Sequence, residues 1–244
     1  MMFIDIGNSY IKVAEYDQGA WDLKLRVPHS QLDEAVHWMT MLTKTGTRFL
    51  ASSVVQAITD NLNRDLGKHI QFVRVADFPE KRINYSTPQT LGSDRVLACQ
   101  GAYSLSNGKS VIVVDAGTAT TIDYMDQHGV FQGGVIAPGI SSMEAGLFQH
   151  APELPKVDRI RPAIWPPKST KEALQWGLTG SYQSLVRDHI QRFLNDDHTA
   201  VIWFSGGDAE VLMNLGGIKS KYHPNLVFEG LRSVDLSRFI ESKP

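Results

Sequence analysis

Two turns in the sequence combine an aspartate with a glycine and could bind phosphate and a metal ion. The first, Asp5-Ile6-Gly7-Asn8-Ser9, follows a β-rich run, and Lys12 comes three residues after Ser9. The second is Asp115-Ala116-Gly117-Thr118-Ala119-Thr120-Thr121. Backbone amides around a glycine can approach an anion closely, and carboxylates beside a phosphate site usually serve Mg²⁺. One such turn alone is better explained as an ordinary hairpin with a solvated lysine, but two that face each other predict a clamp for a polyphosphate and a metal.

A third motif, Gly92-Ser93-Asp94-Arg95, lies where a loop changes into a predicted helix, and it places a carboxylate beside a guanidinium group. Asp94 could accept a proton from an alcohol while Arg95 holds an anionic substrate at the positive end of the helix dipole. The structural alternative is that Asp94 only caps or charges the first helical turn and that Arg95 is solvated. The local sequence supports both interpretations equally.

The better-known nucleotide and metal signatures do not occur in the sequence. It contains no Walker motif, and no Gly-x-Gly-x-x-Gly pattern leads from a strand into a helix; Gly206 and Gly207 follow a strand without that spacing. The eight histidines show no His-x-x-x-His spacing, so a zinc site is not expected. A nucleotide site in this chain must therefore be of another type.

The first turn lies between segments with strand character. Residues 3–6 and 10–16 are β-rich, and the alternation of apolar and charged residues over 21–27 predicts a third strand. Helical and strand patterns then alternate, with helices near 32–39 and 57–66, strands at 48–55 and 70–75, a connecting loop at 77–88 and a helix through 93–103. This order is typical of an α/β layer.

The second half of the chain repeats the arrangement. After the turn residues 106–109, the apolar run 111–114 leads into the second aspartate turn, and residues 126–129 turn the chain as 17–19 do. Further patterns predict a helix from 141, a proline-rich interruption at 152–167, a helix at 171–193, a strand at 200–204, a helix at 208–215 and a strand at 226–228. We therefore expect two related halves, 1–107 and 108–244, with a duplicated β-β-β unit and a cleft between them.

Composition narrows the classes of function. The chain has 244 residues, 42% of them hydrophobic and 20% charged, which is typical of a globular protein. Its 24 basic and 26 acidic residues give a net charge of −2, so neither a dedicated nucleic-acid binder nor a basic membrane-surface protein is expected. The single cysteine, Cys99, and the absence of a targeting or membrane-spanning pattern predict a cytoplasmic protein.

Together the motifs resemble those of the type III pantothenate kinases, in the superfamily of acetate and sugar kinases, Hsp70 and actin. The resemblance rests on residues 5–12, 92–95, the second aspartate turn and Gly133-Gly134-Val135-Ile136-Ala137-Pro138-Gly139, which occur in the family's order. It implies an α/β fold of two ribonuclease-H-like, actin-like halves, with mixed sheets flanked by helices and a cleft between them. It also implies phosphorylation of pantothenate by ATP to 4′-phosphopantothenate, the first step of coenzyme A biosynthesis.

The resemblance implies roles for individual residues as well. The residues that would bind the ATP phosphates are Asp5, Ile6, Gly7, Asn8, Ser9, Tyr10, Ile11, Lys12 and Thr118. Asp94 would be the catalytic base, and the residues that would contact pantothenate are Tyr85, Gly92, Ser93, Asp94, Arg95 and Thr170. Asp115 would hold a monovalent cation, K⁺ or NH₄⁺, and Mg²⁺ would accompany ATP. Thr170 would be supplied across a homodimer, so the active site is expected near the subunit interface.

Two residues depart from the family pattern, and two other functions stay open. Ser9 stands where the family commonly has threonine, which keeps the hydroxyl, and Ser93 replaces a commonly apolar residue, which could alter the pocket wall. A kinase of the same superfamily could act on another small alcohol, such as a sugar. Members of the family have also been described as transcription accessory factors, so a nucleotide-binding regulatory protein is the second alternative; the pair Asp94 and Arg95 favours catalysis.

One further motif has two interpretations. Ser205-Gly206-Gly207-Asp208 resembles the glycine turn that lies on the adenosine side of the nucleotide in this superfamily. An ordinary glycine turn between a strand and a helix explains the same residues equally well.

Overall fold

Ten strands and seven α-helices form the part of the chain that the computed structural model describes, residues 1–213 and 215–234. The strands are β1 (Met2–Ile6), β2 (Tyr10–Asp17), β3 (Ala20–Pro28), β4 (Phe49–Ser53), β5 (Ile70–Phe72), β6 (Val111–Ala116), β7 (Ala119–Met125), β8 (Phe131–Pro138), β9 (Val201–Ser205) and β10 (Ser220–Tyr222). The helices are α1 (Leu32–Thr43), α2 (Gln56–Leu66), α3 (Ser93–Leu105), α4 (Ile140–His150), α5 (Thr170–Gln175), α6 (Ser181–Asp196) and α7 (Leu226–Ser233).

The first five strands form a mixed sheet in the order β3-β2-β1-β4-β5. Strand β1 is antiparallel to β2 and parallel to β4, which is in turn parallel to β5. Gln18 and Gly19 connect β2 to β3 with φ of 49° and 86°, the positive angles that a tight two-residue hairpin requires. Apolar side chains of β1 and β2, such as Ile4 and Ile11, form a core with α1 and α2. The three predicted opening strands are confirmed.

The other five strands form a second mixed sheet in the order β10-β9-β6-β7-β8. Strand β6 is antiparallel to β7 and parallel to β9, and β9 is parallel to β10. The two sheets thus share one arrangement. The first strand of a three-strand run, β1 or β6, is the central strand, and two further strands parallel to it follow on its other side. Helix α6 covers the second sheet with Tyr182, Val186 and Ile190, all fully buried. The predicted fold class, two ribonuclease-H-like halves with mixed sheets and flanking helices, is confirmed.

Asp197 fixes the end of α6 to the second sheet. Its carboxylate accepts hydrogen bonds from the Tyr124 hydroxyl at 3.0 Å and from the Thr199 hydroxyl at 2.6 Å. Burial alone would raise the pKa of Asp197, but hydrogen bonds from Ser110, Thr199 and Tyr124 lower it to about 2. Burial, followed by the hydrogen bond to Asp197, raises the pKa of Tyr124 to about 12. The carboxylate is therefore charged and the phenol neutral across the physiological pH range.

The chain divides into two units that differ in extent from the predicted halves. Among the described residues, the first unit contains 1–108, 128–132 and 225–234, and the second contains 109–127 and 133–224 without 214. The predicted second half is 108–244, whereas residues 108, 128–132 and 225–234 belong to the first unit. Residues 214 and 235–244 of that predicted half lie outside the described part of the chain.

The predicted strand at 226–228 is wrong, because these residues begin α7. A short apolar run is compatible with either a strand or a buried helix, and packing decides between them. Helix α7 packs closely on α3: a Cβ at Gly101 would overlap a carbonyl of α7, and a Cβ at Gly230 would overlap a carbonyl of α3. Trp21 of β3 donates a hydrogen bond to the buried Glu229 at 2.7 Å. These contacts explain why the segment joins the first unit.

Three other elements are shorter or less regular than predicted. Strand β5 ends at Phe72 and not at 75, and the helix expected over 208–215 is a single 3₁₀ turn, Ala209–Leu212. The long helix expected from 171 consists of α5, a π-helical turn at Trp176–Gly180, and α6. Across residues 1–213 and 215–234, no helix combines the length and apolar character needed to cross a bilayer.

Candidate active site

The first aspartate turn connects β1 to β2 and carries a lysine directly opposite its aspartate. The Gly7 amide donates to the carbonyl of Tyr10 at 3.1 Å, which closes the turn. Asp5 faces Lys12 in the β1–β2 register, and Lys12 Nζ is 3.2 Å from Asp5 Oδ2. Residues directly opposite each other on antiparallel strands project from the same face. The turn therefore presents a nearly buried carboxylate and a half-buried ammonium group side by side.

His29, just after β3, supports this turn from outside. Its Nε2 lies 3.0 Å from the carbonyl oxygen of Gly7, so the imidazole donates its Nε2–H to the turn. No histidine has a role predicted from the sequence. The contact could not have been found from spacing, because 22 residues separate the two partners.

The motif Gly92 to Arg95 forms the first turn of α3 and is linked to the aspartate turn. Gly92 precedes the helix, and a Cβ there would overlap the carboxylate of Asp94. Asp94 Oδ1 accepts the backbone amide of Arg95 at 2.8 Å. The Ser93 hydroxyl is 2.9 Å from that of Ser52, and both side chains are buried. In the β1–β4 register Ser52 lies opposite Asp5, so the structure brings the first aspartate turn close to the motif at Gly92 to Arg95.

Arg95 and Tyr85 also lie together, at an aromatic cluster. The guanidinium carbon of Arg95 is 5.9 Å from the ring centroid of Tyr85 and 5.8 Å from that of Phe131. Arg95 is buried, so the predicted alternative of a solvated arginine is wrong. The loop before α3 is held in place because the backbone amide of Asn84 donates a hydrogen bond to the backbone carbonyl of Phe131 at 2.9 Å. Of the predicted substrate residues, Tyr85 and 92–95 thus share one region of the first unit.

A pocket of about 610 Å³ in the first unit reaches the start of this motif. Its walls include Val54, Phe72 and Leu91, its polar groups include Arg74, and its lining also includes Gly92 and Ser93. The pocket is large enough for a small-molecule ligand and combines apolar walls with a few polar groups, as such sites do.

In the second unit, Asp115 and Thr118 lie at two turns that close contacts and hydrogen bonds hold in place. Gly206 follows β9 with φ of +90°, and a Cβ there would overlap the Ala116 carbonyl and meet the Asp115 carboxylate at 2.5 Å. The Thr118 carbonyl accepts two hydrogen bonds, from the Gly139 amide at 3.1 Å and from the Ser142 hydroxyl at 2.6 Å. Only glycine fits at position 206, because a Cβ there would overlap its neighbours and its φ is positive.

A network around Arg159, which sequence reasoning missed, joins these turns to helix α4. Arg159 donates to Glu144 at 2.7 Å, to Asp208 at 2.7 Å and to the Ser141 hydroxyl at 2.8 Å. The hydrogen bond to Glu144, with that to Asp208, raises the pKa of Arg159 above its ordinary value in spite of partial burial. Arg159 lies in the proline-rich segment, and no sequence signal marks it.

Thr170 belongs to the second unit but to neither turn. It begins α5, where the Ser169 hydroxyl accepts the Glu172 amide at 3.3 Å and caps the helix. A hydrogen bond from the Lys168 amide, followed by that from Ser169, lowers the pKa of Glu172. Thr170 itself is exposed.

Comparison with known proteins assigns the family. The model of the family "Type III pantothenate kinase" matches residues 1–192. The chain belongs to the type III pantothenate kinase family. Type III pantothenate kinases of Desulfosudis oleivorans and Syntrophotalea carbinolica are 29% and 30% identical to it, over 97% of this chain and 99% and 98% of theirs.

Solved structures agree with the fold of this type III pantothenate kinase family member. A Campylobacter jejuni protein described as a Baf family transcriptional activator superposes with a TM-score of 0.71 at 22% identity, over 98% of this chain and 99% of that one. The ROK hexokinase of Thermus thermophilus gives a TM-score of 0.50 at 12% identity, over 95% and 96% of the two chains. At these identities the likeness concerns the fold, which is that of the actin-like sugar kinases.

Proposed function

We propose that the protein transfers the γ-phosphoryl group of ATP to pantothenate, giving 4′-phosphopantothenate and ADP in the first step of coenzyme A biosynthesis. Membership of the type III pantothenate kinase family supports this activity. The structural observation that carries the proposal is the connection from the first aspartate turn, which would bind the ATP phosphates, to the motif at Gly92 to Arg95, which contains the proposed base Asp94. Asp5 lies opposite Ser52 in the β1–β4 register, and Ser52 is hydrogen-bonded to Ser93, the neighbour of Asp94.

The charged residues of the first unit would have different roles in the reaction. Lys12 would offset the charge of the ATP phosphates. Asp94 would orient the pantothenate hydroxyl for in-line attack on the γ-phosphorus and accept its proton late in the reaction. Arg95 and Tyr85 would contact the body of pantothenate from their shared cluster. Phosphoryl transfer passes through a loose transition state, so positioning and electrostatics of this kind supply most of the catalysis.

The oxygen donors at the two aspartate turns suit the cations that the family resemblance implies. Mg²⁺ commonly takes one or two carboxylates and completes its shell with water and substrate phosphates, and the nearly buried Asp5 would hold it beside the phosphate turn. Asp115, whose carboxylate lies against the Gly206 turn, would hold K⁺ or NH₄⁺. When bound, these cations neutralise negative charge on the phosphates.

We further propose that the protein forms a homodimer and acts in the cytoplasm. The segment before Thr170 exposes large apolar side chains, with Ile160 at 60%, Ile164 at 48% and Trp165 at 71% exposure. Exposed apolar groups in one short segment are typical of an interaction surface. A second copy bound there would bring Thr170 toward its neighbour's site. The single cysteine, which is buried, fits a reducing compartment.

A substrate panel tests the activity. The purified protein is incubated with Mg-ATP and with pantothenate, glucose, N-acetylglucosamine or glycerol, and release of ADP is followed. We expect turnover with pantothenate only. Turnover with a sugar alone would point to another kinase of the superfamily, and nucleotide binding without ADP release for any alcohol would favour the regulatory alternative.

The cation and the dimer have separate tests. Replacing K⁺ by Na⁺ at constant ionic strength should lower the rate, and equal rates would count against a cation at Asp115. Sedimentation should give a dimer at assay concentration, and Trp165→Ser should shift it toward monomer with a lower kcat. A fully active wild-type monomer would exclude a shared site.

A further inference from the structure

Arg159 connects three separate segments of the second unit through one side chain. Its Nη1 is 2.7 Å from Asp208 Oδ1, directly after the Gly206 turn. Its Nη2 is 2.7 Å from Glu144 Oε2, and its Nε is 3.0 Å from Oε1 of the same carboxylate. Nη2 also donates to the Ser141 hydroxyl at 2.8 Å. The planar guanidinium group thus binds one carboxylate in bidentate fashion and a second carboxylate with another nitrogen, which a lysine cannot reproduce.

Each partner of Arg159 is attached to one of the two turns. The Asp208 amide donates to the Ala116 carbonyl at 2.9 Å, next to Asp115. Helix α4, which carries Ser141 and Glu144, holds the Thr118 turn through Ser142. Asp208 also accepts from the Ser141 hydroxyl at 3.0 Å. Loss of the guanidinium group would leave two carboxylates facing each other near Ser141 without their cation, and their repulsion would push the Gly206 turn away from α4.

We propose that Arg159 is a positioning residue that fixes the distance between the Gly206 turn and the start of α4, and thereby sets the affinity of the second unit for nucleotide. The proposal rests on the proposed function and on the roles that the family resemblance implies for these turns, with Thr118 at the ATP phosphates and residues 205–208 on the adenosine side of the nucleotide. An isolated ion pair that is partly exposed contributes little to stability. A network that holds two turns of a binding site acts mainly on the geometry of that site, so its loss should appear in nucleotide affinity more than in folding.

Three variants test the proposal, with the wild-type protein measured first. Arg159→Met removes the charge and keeps much of the length, Arg159→Lys keeps the charge without the bidentate geometry, and Glu144→Gln weakens one partner. Arg192→Met is the matched control, because Arg192 forms an exposed ion pair with Asp188 at 2.8 Å on the same unit. The readouts are KM for ATP, KM for pantothenate, kcat, and the Kd of ADP by calorimetry.

For Arg159→Met we expect KM for ATP and the Kd of ADP to rise about tenfold, which is near the lower end of the effect that loss of a hydrogen bond to a charged group has. KM for pantothenate should stay within about twofold and the melting temperature within a few degrees. Arg159→Lys and Glu144→Gln should give smaller rises in the same direction, and they keep the test decisive should Arg159→Met fail to fold. The control should match the wild type.

Two results would overturn the assignment of Arg159. One is an unchanged Kd of ADP in the Lys and Met variants. The other is a rise of both KM values by similar factors together with a fall in melting temperature, which a merely structural role would produce. Both leave the proposed function intact, because the wild-type turnover with pantothenate stands independently. Failure of the wild type to bind ADP at all would overturn the proposed function together with the role of Arg159.

Discussion

The buried hydroxyl pair of Ser52 and Ser93 leads to a quantitative prediction about the base motif. The two residues are 1% and 6% exposed, and their oxygens are 2.9 Å apart. A buried polar group that loses its partner costs about 1–3 kcal/mol, whereas removal of both partners is nearly neutral. Ser52→Ala and Ser93→Ala should therefore each lower the free energy of unfolding by about 1–3 kcal/mol. The double variant should lose about 1 kcal/mol or less, because no unpaired hydroxyl remains.

Urea denaturation of the wild type, both single variants and the double variant measures this coupling, provided that the slopes m agree. For a chain of this size each kcal/mol corresponds to about 2–4 °C in melting temperature, which gives a second readout. Thr45 and Thr47 supply the control cycle, since their hydroxyls form an exposed hydrogen bond at 3.2 Å. Water replaces a lost partner there, so Thr45→Ala and Thr47→Ala should be additive.

The same cycle bears on catalysis, because Ser93 adjoins Asp94 and Ser52 lies opposite Asp5. Each single variant should lower kcat, and the double variant should recover part of it. Additivity of the stability losses within about 0.5 kcal/mol would refute the reasoning, since independent sites behave in that way.

Two further predictions concern the packing and the pH dependence of the fold. Gly230→Ala should lower the free energy of unfolding by at least about 2 kcal/mol, because its Cβ would overlap the Leu97 carbonyl. The control Gly146→Ala, whose Cβ would meet nothing within 4 Å, should be neutral or stabilising by up to about 1 kcal/mol. Equal effects of the two substitutions in thermal melts would contradict the close packing of α3 on α7. Asp197, with a pKa of about 2 in the folded protein, contributes stability that is complete above about pH 4 and is lost as the pH falls toward 2. Asp197→Asn should therefore lower the free energy of unfolding by about 1 kcal/mol at pH 7, after allowance for solvent screening, and remove this part of the acid dependence. Urea denaturation between pH 3 and 7 measures this, and a pH profile of stability that the substitution leaves unchanged would argue against it.

Local patterns were sufficient to predict the hairpins and most of the helices. The first hairpins follow from period-two alternation and from turn residues such as Gln18 and Gly19, whose positive φ values the structure contains. The motif at Gly92 to Arg95 was expected at a helix start, and α3 begins at Ser93. The roles proposed for these residues came from the family resemblance and stay predictions.

Contacts between distant residues account for what the sequence could not predict. The run at 226–228 became a helix because Gly101 and Gly230 allow α7 to pack against α3, a fact that no local pattern contains. Arg159 meets its partners across 15 and 49 residues of chain, so its network had no periodicity to reveal it. For the same reason the burial of Arg95 against Tyr85 was missed, and the local sequence allowed a solvated arginine equally well.

The central claim is that the protein phosphorylates pantothenate with ATP and that Asp94 accepts the hydroxyl proton. Its most direct test is mass-spectrometric measurement of 4′-phosphopantothenate formed from Mg-ATP and pantothenate in K⁺ buffer, by the wild type and by Asp94→Asn. We predict one equivalent of product per ADP with the wild type, and a rate at least about a hundredfold lower for the variant, at unchanged Kd for ADP. No product from the wild type, or wild-type turnover by Asp94→Asn, would contradict the account.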